Sequence, residues 1–183
     1  MEVKTIAVIG AGVRGRGIAY AAALAGYHTV LEDVSNTILE NGIAWIRGTL
    51  DEDIRRGKLD AAARDAALAH ITTSRVVDEA IRCAELIIEA VADELEMKLE
   101  LFTIFDKFAR PNAIFASAAT SLSIGDFSDI VVFRERCVGM RFFEAATERD
   151  VVEIVRTPHT YEETVATCFA VATRLGKKAV IVG

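Results

Sequence analysis

Cysteines and histidines are few in this sequence, long hydrophobic runs are missing, and each shortage excludes a class of protein. The three cysteines are an odd number and widely spaced, at Cys83, Cys137 and Cys168. A chain of 183 residues is large enough to fold without disulfides. We therefore expect free thiols and a cytoplasmic location. The three histidines are equally scattered, in no spacing that resembles a zinc or iron site, so we expect no metal.

Clusters of positive charge are missing as well. The chain carries 21 Lys and Arg against 27 Asp and Glu, a net charge of −6, so we expect it to bind neither nucleic acid nor an anionic membrane surface. No apolar run approaches the roughly 18 residues that a membrane-spanning helix needs. The remaining composition, 52% hydrophobic and 26% charged, predicts one globular domain over residues 1–183.

Strands and helices are predicted to alternate from the start of the chain. Short runs rich in β-branched residues predict strands at Thr5–Ile9 and Thr29–Leu31. Helix-forming residues at Val13–Ala25 lie between them. A strand, a helix and a second strand within about 30 residues are the minimal parallel crossover unit.

A helical hairpin is predicted next, at about residues 36–70. It consists of Ser35–Ile54 and a second helix that Asp60 caps. The later predicted elements are a strand near Ile71, a helix near Val76–Arg82, a strand Ala84–Val91, a helix Glu94–Ala109, strands Ala113–Ser117, Cys137–Phe143 and Val151–Val155, a helix that starts at a capping box of Thr160 and Glu163 and stops at Gly176, and a strand Lys178–Val182. This order predicts an α/β fold of Rossmann type: a doubly wound, mostly parallel sheet with a helical-hairpin insertion after the second strand.

The loop after the first predicted strand matches the pattern G-x-G-x-x-G. Gly10 permits a tight turn, Gly12 lets the backbone approach a pyrophosphate, and Gly15 lets helix and strand pack closely. The following helix N-terminus offers free N–H groups to the phosphates. An ordinary strand-to-helix turn with packing glycines is the alternative, but the strand before the loop and the helix after it favour a dinucleotide site.

An acidic residue at the end of the second strand supports the same site. Asp33 is placed to accept hydrogen bonds from the adenosine ribose hydroxyls and to repel a 2′-phosphate. Glu32 adds a second negative charge, and neither Val34 nor Ser35 supplies an arginine, so NAD is favoured over NADP. Arg14 is either a phosphate contact or a solvated loop charge.

With these motifs the sequence resembles the N-terminal domain of L-3-hydroxyacyl-CoA dehydrogenases along essentially its whole length. The resemblance rests on the glycine loop Ile6–Gly12 with Gly15–Ala19, the hairpin before Ile71, the segment Ile88–Val91 followed by Leu95 and Lys98, and the segments Phe115–Ser117 and Ser121–Ile124. It implies hydride transfer between NAD and a 3-hydroxyacyl-CoA thioester. The cofactor contacts that it implies, beside the glycines and Asp33, are Val13, Arg14, Ala90, Val91, Asp93 in place of a glutamate, Lys98, Ala118 in place of an asparagine, and Glu144.

The departures from the family fall where the chemistry is expected. In the family's G-L-H-F-F-N-P motif, Arg141 replaces the general-base histidine and Glu144 replaces the asparagine near the nicotinamide. The carboxylate that orients the histidine is kept as Glu153, and Thr120 stands in place of the substrate-contacting serine. An arginine cannot remove a proton from the substrate. Arg141 therefore either pairs with Glu153 or binds an anionic group of a different substrate.

The family's helical C-terminal domain would follow the strand that ends before Gly183. We expect either a chain cut at that point or a lone NAD-binding domain, and so a homodimer or a partner that supplies the second domain. Because the base is replaced, enzymatic turnover is uncertain. A non-catalytic NAD-binding module, or a dehydrogenase for another hydroxy acid with Glu144 or a substrate group as base, are the alternatives.

Overall fold

The computed structural model describes residues 1–143 and 150–183. Within them lies one sheet of eight strands: β1 Thr5–Ile9, β2 His28–Glu32, β3 Ile71–Ser74, β4 Leu86–Glu89, β5 Ile114–Ser117, β6 Cys137–Phe142, β7 Val151–Val155 and β8 Lys178–Val182. The helices are α1 Val13–Leu24, α2 Asn36–Arg55, α3 Ala61–Ala69, α4 Val77–Ile81, α5 Leu95–Phe108, α6 Ile124–Ser128 and α7 Glu162–Arg174, with a 3-10 turn at Arg134–Arg136. In the described part of the chain, no helix has the length and hydropathy to cross a bilayer.

The strand order is β3-β2-β1-β4-β5-β6-β7-β8. Strands β1 to β6 are parallel, β7 runs antiparallel to β6, and β8 is parallel to β7. The first six strands have the order of a dinucleotide-binding Rossmann sheet. From β1 the chain first winds outward to β2 and β3 and then returns to β4 on the other side, so a crevice opens between the ends of β1 and β4. In such sheets ligands bind at this point.

Both faces of the sheet are covered by helices. Successive residues of β1 alternate between two hydrophobic clusters: Val8 belongs to the cluster that includes residues of α1, α2, α3 and α7, whereas Ile9 belongs to the one that includes residues of α4, α5 and α6. Side chains of a parallel strand point alternately to the two faces, so two buried layers are expected. The predicted doubly wound α/β fold is confirmed.

The predicted hairpin is present as α2 and α3. Asp60 caps α3, accepting a hydrogen bond from the Ala63 amide at 2.8 Å. The predicted capping box at α7 is wrong, since that helix starts after Tyr161 without a side-chain cap. The hydroxyl of Thr160 is buried and donates instead to the Cys137 carbonyl at 2.8 Å. The short helix α6 was not predicted.

The start of α1 is pressed directly onto the end of β1. A Cβ built on Gly15 would lie 1.7 Å from the Gly10 carbonyl oxygen, and the neighbouring Gly10 carbonyl carbon would be at 2.9 Å. Both atoms belong to the backbone and cannot turn away. Two residues further along α1, a Cβ on Gly17 would meet nothing within 4 Å. The helix therefore needs glycine at position 15 and only tolerates it at position 17.

This difference predicts opposite effects of the same substitution. Gly15→Ala should lower the free energy of unfolding by about 1–3 kcal/mol or more, because α1 must move off β1. Gly17→Ala, the matched control, should leave it unchanged or raise it by up to about 1 kcal/mol. Urea unfolding followed by circular dichroism measures both. Equal stability of the two variants would show that the contact between α1 and β1 is not as close as described.

Candidate functional site

The glycine loop leaves backbone donors without partners at the crevice. Gly10 has a φ of +98°, and a Cβ there would lie 3.1 Å from the backbone of Ala90. A Cβ on Gly12, the residue before α1, would meet nothing within 4 Å. Among residues 1–143 and 150–183, no side chain caps this helix start, and the first turn of α1 carries no acidic residue. The free N–H groups of the first turn of α1, with open space next to Gly12, can therefore bind a pyrophosphate.

Asp33 ties the end of β2 to the glycine loop. Its Oδ2 accepts a hydrogen bond from the Ala11 amide at 3.0 Å, and its Oδ1 accepts one from the Ser35 amide at 2.9 Å. The Gly10 amide also donates to the Glu32 carbonyl at 2.8 Å. The carboxylate therefore stands next to the loop that would hold the pyrophosphate, where a ribose hydroxyl can reach it.

Glu32 does not face the ribose as the sequence suggested. Its side chain is only 2% exposed, and its Oε1 has no hydrogen-bond partner among the described residues. Burial, and then the negative charge of Asp33, raise the pKa of Glu32 to about 7. The expectation that Glu32 adds a second full charge to the ribose edge is therefore wrong, because side chains alternate along a strand and this one points into the protein.

A buried polar network joins β4, β5 and α5 just below the crevice. Glu89 and Lys98 are fully buried, and Lys98 Nζ lies 2.6 Å from Glu89 Oε1. The other Glu89 oxygen accepts a hydrogen bond from the Ser117 hydroxyl at 2.6 Å, and Glu89 Oε1 also accepts one from the Val91 amide at 2.7 Å. Breaking a buried pair of this kind leaves an uncompensated charge. Neither Glu89 nor Ser117 was singled out in the sequence as a functional residue.

Asp93 holds the loop after β5 against the glycine loop. Its Oδ2 accepts hydrogen bonds from the hydroxyls and amides of Thr120 and Ser121 at 2.9–3.3 Å. Its Oδ1 lies 3.5 Å from the guanidinium of Arg14 and 3.4 Å from Lys98 Nζ. Partial burial alone would raise the pKa of Asp93, but the hydrogen bonds from Ser121 and Thr120 and the charge of Lys98 outweigh it, and the pKa lies well below its usual value.

Arg141 and Glu153 stand opposite each other in the β6–β7 ladder. The expected charge pair is present but loose, with 3.8 Å between Arg141 Nη1 and Glu153 Oε2. Arg141 Nε donates to the Ala119 carbonyl at 3.2 Å. Both side chains keep about a quarter of their surface exposed, 25% and 30%. Through Ala119 this pair lies next to Thr120, which binds Asp93, and Asp93 in turn contacts Arg14.

The structure brings most of the predicted site residues to one edge of the sheet, although their roles stay predictions. Val13 is exposed there, whereas the side chains of Ala90, Lys98 and Ala118 are buried and Val91 is partly buried. Glu144 lies outside the described residues. A close approach was missed at Gly42, where a Cβ would lie 3.1 Å from the Ala11 carbonyl oxygen. A glycine inside a predicted helix is the only signal the sequence offers for it, and Gly48 of the same helix carries that signal without a close approach.

The sheet order, the open face at Gly12 and the carboxylate of Asp33 together define a dinucleotide-binding domain of the Rossmann class. Comparison with known families makes this specific. Residues 5–183 match the model of the family described as 3-hydroxyacyl-CoA dehydrogenase, NAD binding domain. The chain belongs to this family, and its cofactor is NAD.

The similar proteins are longer than this chain. A probable 3-hydroxybutyryl-CoA dehydrogenase of Bacillus subtilis is 34% identical over 180 residues, which are 98% of this chain and 62% of that protein. The solved structure of (S)-3-hydroxybutyryl-CoA dehydrogenase PaaH1 from Ralstonia eutropha superposes with a TM-score of 0.94 at 31% identity, covering 99% of this chain and 64% of that one. A glyoxysomal fatty acid beta-oxidation multifunctional protein of Cucumis sativus is 27% identical over all of this chain and 25% of its own length. The chain thus spans less than two thirds of these relatives.

The raised pKa of Glu32 predicts how stability depends on pH. The folded protein keeps this carboxyl neutral up to a pH of about 7, whereas the unfolded chain ionises it near 4.5. The free energy of unfolding should therefore fall as pH rises from about 4.5 through 7, by up to about 3 kcal/mol in total. Urea unfolding of the unchanged protein and of Glu32→Gln across this range isolates the contribution.

The control for this prediction is Glu100→Gln, which changes an exposed glutamate of α5. Its free energy of unfolding should depend on pH as that of the unchanged protein does, whereas that of Glu32→Gln should not show the decline between about pH 4.5 and 7. A Glu32→Gln profile parallel to that of the unchanged protein would mean that Glu32 ionises as an ordinary exposed carboxyl does.

Proposed function

We propose that this domain is the cofactor-binding part of an oxidoreductase that transfers hydride between NAD and a 3-hydroxyacyl-CoA thioester. The observation that carries this proposal is a series of contacts in two parts. Arg14 and Thr120 both bind Asp93, and Arg141 binds Glu153 and the carbonyl of Ala119, the residue before Thr120. It links the place where the dinucleotide approaches to the residues in the family's substrate positions. The names of the similar proteins support a hydroxyacyl-CoA substrate.

The chain's own residues supply binding and orientation. The free N–H groups at the start of α1 would hold the pyrophosphate, and Asp33, which accepts a hydrogen bond from the Ala11 amide, would also accept the ribose hydroxyls. Bound NAD would supply the hydride acceptor. The hydroxyl of Thr120 donates to Asp93 at 3.2 Å and would accept a hydrogen bond from the substrate hydroxyl.

The described residues offer no evident base for the proton transfer that accompanies hydride transfer. A guanidinium does not give up its proton in proteins, and Arg141 is held by the Ala119 carbonyl beside Glu153. This observation favours a second candidate: a non-catalytic NAD-binding module or subunit that a partner completes. A homodimer would be one form of such an assembly. The three free cysteines support a cytoplasmic location.

Turnover by the chain itself tests whether the site contains a base that replaces the missing acid–base group. We expect it to bind NADH but to oxidise NADH with acetoacetyl-CoA at least about 10²–10⁴-fold more slowly than an ordinary enzyme with a turnover of about 1–10³ s⁻¹, because the acid–base group is missing. NADH fluorescence measures binding and absorbance at the NADH band measures turnover. Turnover within roughly tenfold of an ordinary enzyme would show that another group acts as the base.

Two variants at position 141 sharpen this test. Arg141→His places an imidazole beside Glu153, whereas Arg141→Lys keeps the positive charge and is the matched control. Activity gained by the histidine variant alone supports the dehydrogenase. NADH binding without activity in all three proteins supports the binding module.

A further inference from the structure

A positively charged residue lies close to the end of β2, where the adenosine ribose would bind. It is Arg75, which follows β3. Glu32 of β2 pairs with Ser74 of β3, and the Asp33 amide donates to the Ser74 carbonyl at 3.3 Å. Arg75 follows at once, and its Nη2 donates to the Val34 carbonyl at 3.4 Å. The parallel pairing of β2 and β3 thus places an arginine beside the residue that follows Asp33.

Arg75 also has room for a ligand next to it. Its side chain is exposed, and within the described residues it takes part in no ion pair. It lines a cavity of about 400 Å³ between α2 and β3, together with Asn36, Arg47 and Ser74. The lining holds two arginines, Arg75 and Arg47, and one carboxylate, Glu40, so positive charge is in excess there. An anionic group that extends from the ribose past Asp33 would meet a guanidinium and open space.

We propose that Arg75 sets how strongly the domain discriminates between NAD(H) and NADP(H), by binding the 2′-phosphate that Asp33 repels. In Rossmann domains an acidic residue accepts the 2′-hydroxyl of NAD, and a nearby arginine accommodates the 2′-phosphate of NADP. This chain has both residues, so the repulsion from Asp33 is partly offset and the preference for NAD(H) is moderate. The inference rests on the NAD(H) site described above.

Paired titrations with NADH and NADPH test this role. Arg75→Gln should weaken NADPH binding roughly tenfold, the loss expected for a charge-assisted hydrogen bond, and should change NADH binding by less than about twofold. Because the contact is exposed, the effect should shrink as salt is raised. The control is Arg82→Gln directly after α4, which removes the same charge from a side chain that pairs with Asp78 at 3.0 Å. It should change neither affinity.

Every other outcome overturns the inference. An NADPH-to-NADH affinity ratio that Arg75→Gln leaves unchanged removes the role of Arg75, and an equal change in Arg82→Gln assigns the effect to net charge. NADPH binding too weak to measure in the unchanged protein shows that Arg75 offsets nothing. If the protein binds NADH but Arg75→Gln leaves the affinity ratio unchanged, only this inference fails. If the protein binds neither cofactor, the NAD(H) site itself fails as well.

Discussion

The site depends on the close approach of α1 to the end of β1. With no side chain at Gly15, the first turn of the helix rests on the Gly10 carbonyl, and its free N–H groups therefore point along the crevice at the sheet edge. Gly12 leaves their approach open, and Gly42 lets α2 pack against the Ala11 carbonyl from the other side. A pyrophosphate can reach these donors because the backbones of α1, α2 and the loop after β1 lie closer together than side chains would permit.

Charged side chains lie along this edge of the sheet, between the glycine loop and the residues in the family's substrate positions. The buried pair of Glu89 and Lys98 anchors the ends of β4 and α5, and Asp93 above it gathers Arg14, Thr120 and Ser121. Buried polar groups in a satisfied network rigidify their surroundings, so the loop after β5 is held in one position. This arrangement suits a domain that positions a cofactor, even where Arg141 replaces the family's base.

The sequence predicted those features that depend on local spacing. The glycines of the loop, Asp33 and the bounds of most helices and strands follow from patterns within about 30 residues. Arg75 was missed because it reaches the neighbour of Asp33 only through the β2–β3 register. Glu32 was assigned to the wrong face of the sheet, because side chains alternate along β2 and this one points inward. The capping box was wrong because the Thr160 hydroxyl donates to the Cys137 carbonyl, which is distant in sequence.

The central claim is that the dinucleotide binds at the first turn of α1 and places its adenosine ribose against the Asp33 carboxylate, beside the Ala11 amide. Amide chemical shifts during a titration with NADH, measured by two-dimensional NMR, test it most directly. The account predicts the largest shifts at Ala11, Gly12 and Val13, with a clear change at Ser35, whose amide shares the same carboxylate. Shifts that spare the glycine loop and gather elsewhere on the domain would contradict it.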